Sequence, residues 1–210
     1  MNATAPGGVV AIVRLPAAPP DALHDTLVDA GVHALEITLT TPGAEAALTR
    51  WRALDRQVPV GAGTVRTPDD VRRAVRAGAQ FLVTPTTSPA VLEAAGEAEV
   101  PVLCGALTPT EIETAWRLGA AAVKVFPADT AGAHDYVRAV RAPLPDIPLL
   151  PTGGVDAPAA RGYAALGCHG VGVGSSLVRD APTTPAALAS LGARAAALTA
   201  AWREGAREGA

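Results

Sequence analysis

The residue types that can do chemistry are unevenly spread along this 210-residue chain. Of its 17 basic residues, 16 are arginine, and Lys124 is the only lysine. Lys124 stands inside the apolar run "AAAVKVF" (120–126). Lysine is rarely buried without a partner, and this chain uses arginine for positive charge everywhere else. A neutral lysine amine can attack a carbonyl carbon and form a Schiff base; a guanidinium keeps its proton and cannot. Apolar surroundings favour the uncharged amine, and Val123, Val125 and Phe126 are the expected wall. Glu36, in "ALEITLT" (34–40), is an equally isolated carboxylate in an apolar stretch, suited to proton transfer beside such an amine. The competing reading is a buried ion pair with only a structural role, which desolvation makes a poor stabiliser.

The spacing says how the two groups are held. "GVHALEIT" from Gly31, "GAQFLVT" from Gly78, "GAAAVKVF" from Gly119 and "GCHGVGVG" from Gly167 superimpose, with glycines 47, 41 and 48 residues apart. Each glycine suits a left-handed helix end and leads into an apolar strand. The interval fits two strand–helix units. The intervening strands are "VVAIVR" (9–14), "VPVGAG" (58–63), "VPVLCG" (100–105) and "IPLLPTGG" (147–154). Thr41-Pro42, Thr67-Pro68, Ser88-Pro89, Thr108-Pro109 and Thr184-Pro185 read as helix starts, Ser or Thr capping and Pro opening the first turn. Thr108 and Glu111 add a capping box. Eight strands alternating with about eight helices predict a single (β/α)8 TIM barrel over 1–210. Residues 1–7 form a short leading segment and 184–207 the C-terminal helix. An open doubly wound sheet is the rival fold.

In such a barrel the reactive groups lie at the C-terminal strand ends. Glu36 and Lys124 each follow their repeat glycine by five residues, which places them on strands 2 and 6, facing each other across the barrel. Arg14 ends strand 1, and Thr38 and Thr40 share the Glu36 face. Thr64 ends strand 3, Thr84 and Pro85 strand 4, and Phe126 follows Lys124. Thr152, Gly153 and Gly154 end strand 7; Gly174 and Ser175 end strand 8. The glycine turns after strands 7 and 8 suit a phosphate or another anion.

A net charge of −3 argues against nucleic acid and against a membrane surface as partner. No apolar run reaches the length that spans a bilayer, and the first residues lack the basic stretch and apolar core expected of a signal peptide. Cys104 and Cys168 fit reduced thiols of a cytoplasmic protein. The arginines at 50, 52, 56, 72, 73 and 76 read as solvated helix faces. His24 and His33 read as helix-surface and turn residues and His134 as the opening of a helix. With His169 they show no ligand spacing, so no metal is expected.

The motifs "LEITLTTP", "VGAGTV", "KVFPAD", "LPTGGV" and "GVGSSLV", in this order between Val9 and Val178, resemble the KDPG/KHG aldolase family of class I 2-keto-3-deoxy-6-phosphogluconate aldolases. The resemblance implies a (β/α)8 barrel, a homotrimer and a small keto-acid substrate cleaved without a cofactor. It makes Lys124 the Schiff-base lysine and Glu36 the general acid/base. Thr64 and Thr152 then lie near pyruvate and Phe126 beside the lysine, with Gly153, Gly154, Gly174 and Ser175 around phosphate. Well-known members carry a carboxylate-binding arginine where this chain has Thr40, a role that would pass to Arg14. The usual "PG" after strand 5 is Cys104-Gly105. The implied products are pyruvate and glyceraldehyde 3-phosphate. 4-Hydroxy-2-oxoglutarate and 2-keto-3-deoxy-6-phosphogalactonate are alternative substrates. A phosphosugar isomerase or epimerase, or a non-catalytic anion-binding barrel, are alternative functions.

Overall fold

Short strands that are apolar on both faces need cover on both, and a ring of parallel strands inside a ring of helices supplies it. The structure is a computed structural model that describes residues 5–54, 57–129, 132–179, 182 and 184–209. Eight strands alternate with eight helices in it. In chain order they are β1 (Gly8–Val13), α1 (Asp21–Asp29), β2 (Ala34–Thr38), α2 (Ala44–Ala53), β3 (Val60–Gly63), α3 (Pro68–Arg76), β4 (Leu82–Val83) and α4 (Pro89–Glu97). Then follow β5 (Val102–Ala106), α5 (Pro109–Arg117), β6 (Ala122–Val125), α6 (Ala133–Arg141), β7 (Leu149–Pro151), α7 (Ala157–Ala165), β8 (Gly170–Val173) and α8 (Pro185–Glu208). Each strand pairs in parallel with its sequence neighbours from β1 to β7, and β8 pairs with β1. A single bridge, Thr152 to Gly172, joins the remaining edges. The fold is a nearly closed (β/α)8 barrel.

Alternate strand residues separate into two cores. Val9, Ala11, Val13, Leu35, Ile37, Val123, Val125 and Val171 pack outward with the helices. Val10, Ala34, Phe81, Val83, Leu103, Ala122 and Leu150 fill the barrel, with Ala5 among them. Residues 1–4 of the expected leading segment lie outside the described residues. Lys124 shares the inward phase of Ala122, as expected. Val123 and Val125 point out to the helices, as that phase requires, so of the expected apolar wall only Phe126 stands beside the amine.

The four repeat glycines adopt left-handed φ values of 80°, 92°, 93° and 70° at Gly31, Gly78, Gly119 and Gly167. Any other residue would be strained there. Thr67 and Thr108 make full capping boxes with Asp70 and Glu111, and Thr184 caps α8. Thr41-Pro42 does not open α2, which starts at Ala44 behind Gly43. The Thr41 hydroxyl is engaged elsewhere: it accepts from Leu15 N–H at 3.2 Å and lies 3.0 Å from the Thr38 hydroxyl. Ser88 precedes α4 without a side-chain cap bond.

Arg50, Arg72 and Arg73 pair with Asp21, Asp69 and Glu45 on exposed helix faces. Arg56 lies outside the described residues. His24 is not on the surface: it is buried in α1, its ring 5.4 Å from that of Trp51. His134, the second residue of α6, stacks on Tyr163.

Candidate active site

Register fixes the strand neighbours of Glu36 and Lys124. Ile12 of β1 pairs with Glu36 of β2, which pairs with Gly61 of β3. Across the ring, Gly105 of β5 pairs with Lys124 of β6, which pairs with Leu150 of β7. Lys124, two residues beyond the barrel-filling Ala122, opens into a cavity of about 250 Å³ at the C-terminal strand ends. Arg14, Thr64, Pro85, Lys124, Phe126, Thr152, Gly153, Gly154, Gly174 and Ser175 all line it.

Lys124 is only 7% exposed. Its Nζ lies 5.0 Å from the centre of the Phe126 ring, itself 40% exposed at the cavity mouth. Glu36 is 2% exposed and is not part of the cavity lining. Its carboxylate occupies the space that a side chain at position 63 would take: a Cβ on Gly63 would lie 1.8 Å from Glu36 Oε1. Burial pushes the Glu36 carboxyl above its ordinary range, while the positive charges of Lys124 and then Arg14 hold it down. Among the described residues no direct ion pair joins Lys124 to Glu36. The carboxylate and amine act on each other through space, and the amine is left open to a ligand.

Arg14 sits just past the end of β1, exposed to the cavity, and its Nη2 donates to Thr64 Oγ1 at 3.2 Å. Thr64 has φ = 60°, a left-handed backbone that is unusual for a β-branched residue. Such strain costs about 1–3 kcal/mol and persists where the surroundings fix it. Here Val65 N–H bonds Val83 O, and the hydroxyl meets Arg14. Thr152 sits at the closing bridge, its neighbour Gly172 leaving it room: a Cβ there would lie 2.3 Å from Thr152 Oγ1. The Gly153-Gly154 turn has positive φ at both residues and lies against Asp129.

Thr40 is not brought to the cavity. β2 ends at Thr38, the alternation stops there, and Thr40 turns back to donate to Thr38 Oγ1 at 3.1 Å. Ile12, Ser176, Val178 and Arg179 line the cavity and escaped the sequence reading. Ile12 was legible, two residues before Arg14 on the same phase. The other three lie beyond β8, where period-two alternation no longer applies. Among the described residues no three potential ligands group around a metal position. Both cysteines are free and buried, and burial pushes the Cys168 thiol up to about 12. No described helix is long and apolar enough to cross a membrane.

The family model for KDPG and KHG aldolase matches residues 6–188. A 2-dehydro-3-deoxy-phosphogluconate aldolase of Pseudomonas aeruginosa is 39% identical over 144 residues, which is 69% of this chain and 66% of that protein. A solved structure described as native KDPGal superimposes with a TM-score of 0.87 at 33% identity, covering 99% of this chain and 100% of its own. KDPG aldolase from Legionella pneumophila, solved with pyruvate captured at low pH as a covalent carbinolamine intermediate, gives a TM-score of 0.73 at 26% identity, over 93% and 92% of the two chains. With that match running from just before the first strand into the last helix, this chain belongs to the KDPG and KHG aldolase family, a family of carbon–carbon lyases.

Proposed function

We propose that this protein is a class I aldolase that cleaves 2-keto-3-deoxy-6-phosphogluconate to pyruvate and glyceraldehyde 3-phosphate. The observation that carries this reading is the sole lysine: its amine opens into the cavity, opposite a buried carboxylate that it does not pair with directly. Lys124 as a neutral amine attacks the C2 ketone; the carbinolamine loses water to give an iminium. Glu36, through a water, takes the proton of the C4 hydroxyl. The C3–C4 bond breaks, its electron pair flows to the iminium as an enamine, and the aldehyde leaves. Protonation at C3 and hydrolysis then release pyruvate and free the amine. The iminium is the electron sink, so the scheme uses no cofactor.

Arg14 holds the substrate carboxylate, with Thr64 fixing its guanidinium. Thr152, Phe126 and Pro85 line the pyruvate end, and Gly153, Gly154, Gly174 and Ser175 the phosphate end. The covalent pyruvate intermediate of the Legionella relative supports the amine chemistry. The family resemblance favours a homotrimer, and the two free cysteines favour a cytoplasmic location. The whole-chain match to the KDPGal structure favours one second reading, the galactonate-derived epimer. Cleavage rates on the gluconate- and galactonate-derived phosphates and on 4-hydroxy-2-oxoglutarate test the assignment. The highest kcat/KM is expected for the gluconate-derived compound, and a clear preference for another would replace it.

A further inference from the structure

Resting on the reading of a phosphorylated substrate, we propose that Arg179 is the specificity-determining cation of this site, supplying the formal positive charge that holds the substrate's distal phosphate. A phosphate monoester carries about −1.5 to −2 charge near pH 7. Glycine turns and serines offer hydrogen bonds but no charge, and Ser176 already spends its hydroxyl proton on Val155 O. Arg14 is engaged with Thr64 at the end of β1 and is assigned to the carboxylate beside the reacting ketone. Arg179 is the other arginine lining the cavity, on the same loop as Gly174, Ser175 and Ser176. Arg50, Arg72, Arg73, Arg117, Arg138 and Arg161 are all spent on carboxylates at the surface. Among the described residues no ion pair or hydrogen bond occupies the Arg179 guanidinium.

The loop is built to present it. Leu177 and Val178 N–H groups both donate to Gly174 O at 2.9 Å, closing a tight turn. Leu177 is fully buried, and Arg194 of α8 grips its carbonyl through Nε and Nη2 at 3.3 and 3.1 Å. The backbone that leads into Arg179 is therefore anchored to β8 and to α8, while the side chain stays exposed at the cavity rim. A planar guanidinium suits two oxygens of one phosphate.

The test is the condensation direction, with pyruvate and either glyceraldehyde 3-phosphate or unphosphorylated glyceraldehyde, in wild type, Arg179→Gln and Arg179→Lys. Hydrogen bonds to charged groups contribute about 1.5–3 kcal/mol, so Arg179→Gln should raise KM for the phosphorylated aldehyde roughly 10- to 150-fold. The ratio of kcat/KM between the two aldehydes should collapse accordingly, with kcat moving far less, and Arg179→Lys should restore part of it. Inorganic phosphate should inhibit the wild type competitively and Arg179→Gln more weakly. An unchanged aldehyde ratio in Arg179→Gln overturns the proposal, as does an equal loss on both aldehydes. Borohydride trapping of pyruvate is run on the same samples: its failure in the wild type would sink the aldolase reading itself. A wild type indifferent to the phosphate would sink the phosphorylated-substrate reading instead.

Discussion

At the scale of single residues, the proposed mechanism gives three side chains separable tasks. Lys124→Arg keeps a positive charge but removes the amine, so cleavage and pyruvate trapping should both vanish; near-normal turnover would remove the Schiff base from the mechanism. Glu36→Gln should slow turnover by roughly 10²–10⁴-fold while trapping remains detectable. The same variant carries a stability signature. Burial raises the Glu36 pKa in the folded protein above the ordinary 4.5. Between those two values the folded state holds a proton that the unfolded state has lost, so stability falls as pH rises through the window and stays lower above it. Glu36→Gln should abolish that slope: its melting temperature should exceed wild type at neutral pH and the gap should close below the ordinary carboxylate range. Parallel melting profiles would mean that Glu36 meets less desolvation than its burial implies. Arg14→Met should weaken pyruvate binding roughly 10- to 150-fold. The turn that carries Thr40 away from the cavity makes rescue by Thr40→Arg a question of reach, measured by whether the double variant regains affinity.

At the scale of elements, the repeats were legible because a left-handed glycine is demanded at each helix end, and hydrophobic pattern marks the strand behind it. The equivalent repeat positions of Glu36 and Lys124, five residues after their glycines, then gave strands 2 and 6, on opposite walls of the barrel. Where strands stop was less legible: β4 is ladder-bonded over Leu82–Val83 alone, and β2 ends before Thr40, because the ladder depends on neighbouring strands. Thr41-Pro42 misled for a similar reason, since Leu15 and Thr38 claim the Thr41 hydroxyl. Two substitutions separate support from chemistry. Thr108→Ala removes a capping box and should cost about 1 kcal/mol, lowering the melting temperature by roughly 2–4 °C without touching trapping. Gly63→Ala forces a methyl group into Glu36 Oε1 and should cut kcat while pyruvate still forms its adduct. A Gly63→Ala enzyme with wild-type kcat would show that Glu36 has freedom to move without loss.

At the scale of the whole molecule, closure brings together groups far apart in sequence: Arg14 and Thr64 from one side, Lys124 and Phe126 from the other, and the turns after β7 and β8 between them. Arg179 and Ser176 were not legible, because the loop after β8 takes its shape from Arg194 of α8, a contact that no local pattern encodes. The central claim is covalent capture of a keto acid by one amine, and the composition makes its test unusually clean. With a single lysine in 210 residues, the α-amine is the one other primary amine of the chain. The protein is incubated with pyruvate, reduced with borohydride, and mapped by peptide mass spectrometry. One reduced pyruvate adduct per chain, on Lys124, is the expected result. No adduct, or an adduct confined to the α-amine while cleavage proceeds, would contradict the Schiff-base mechanism.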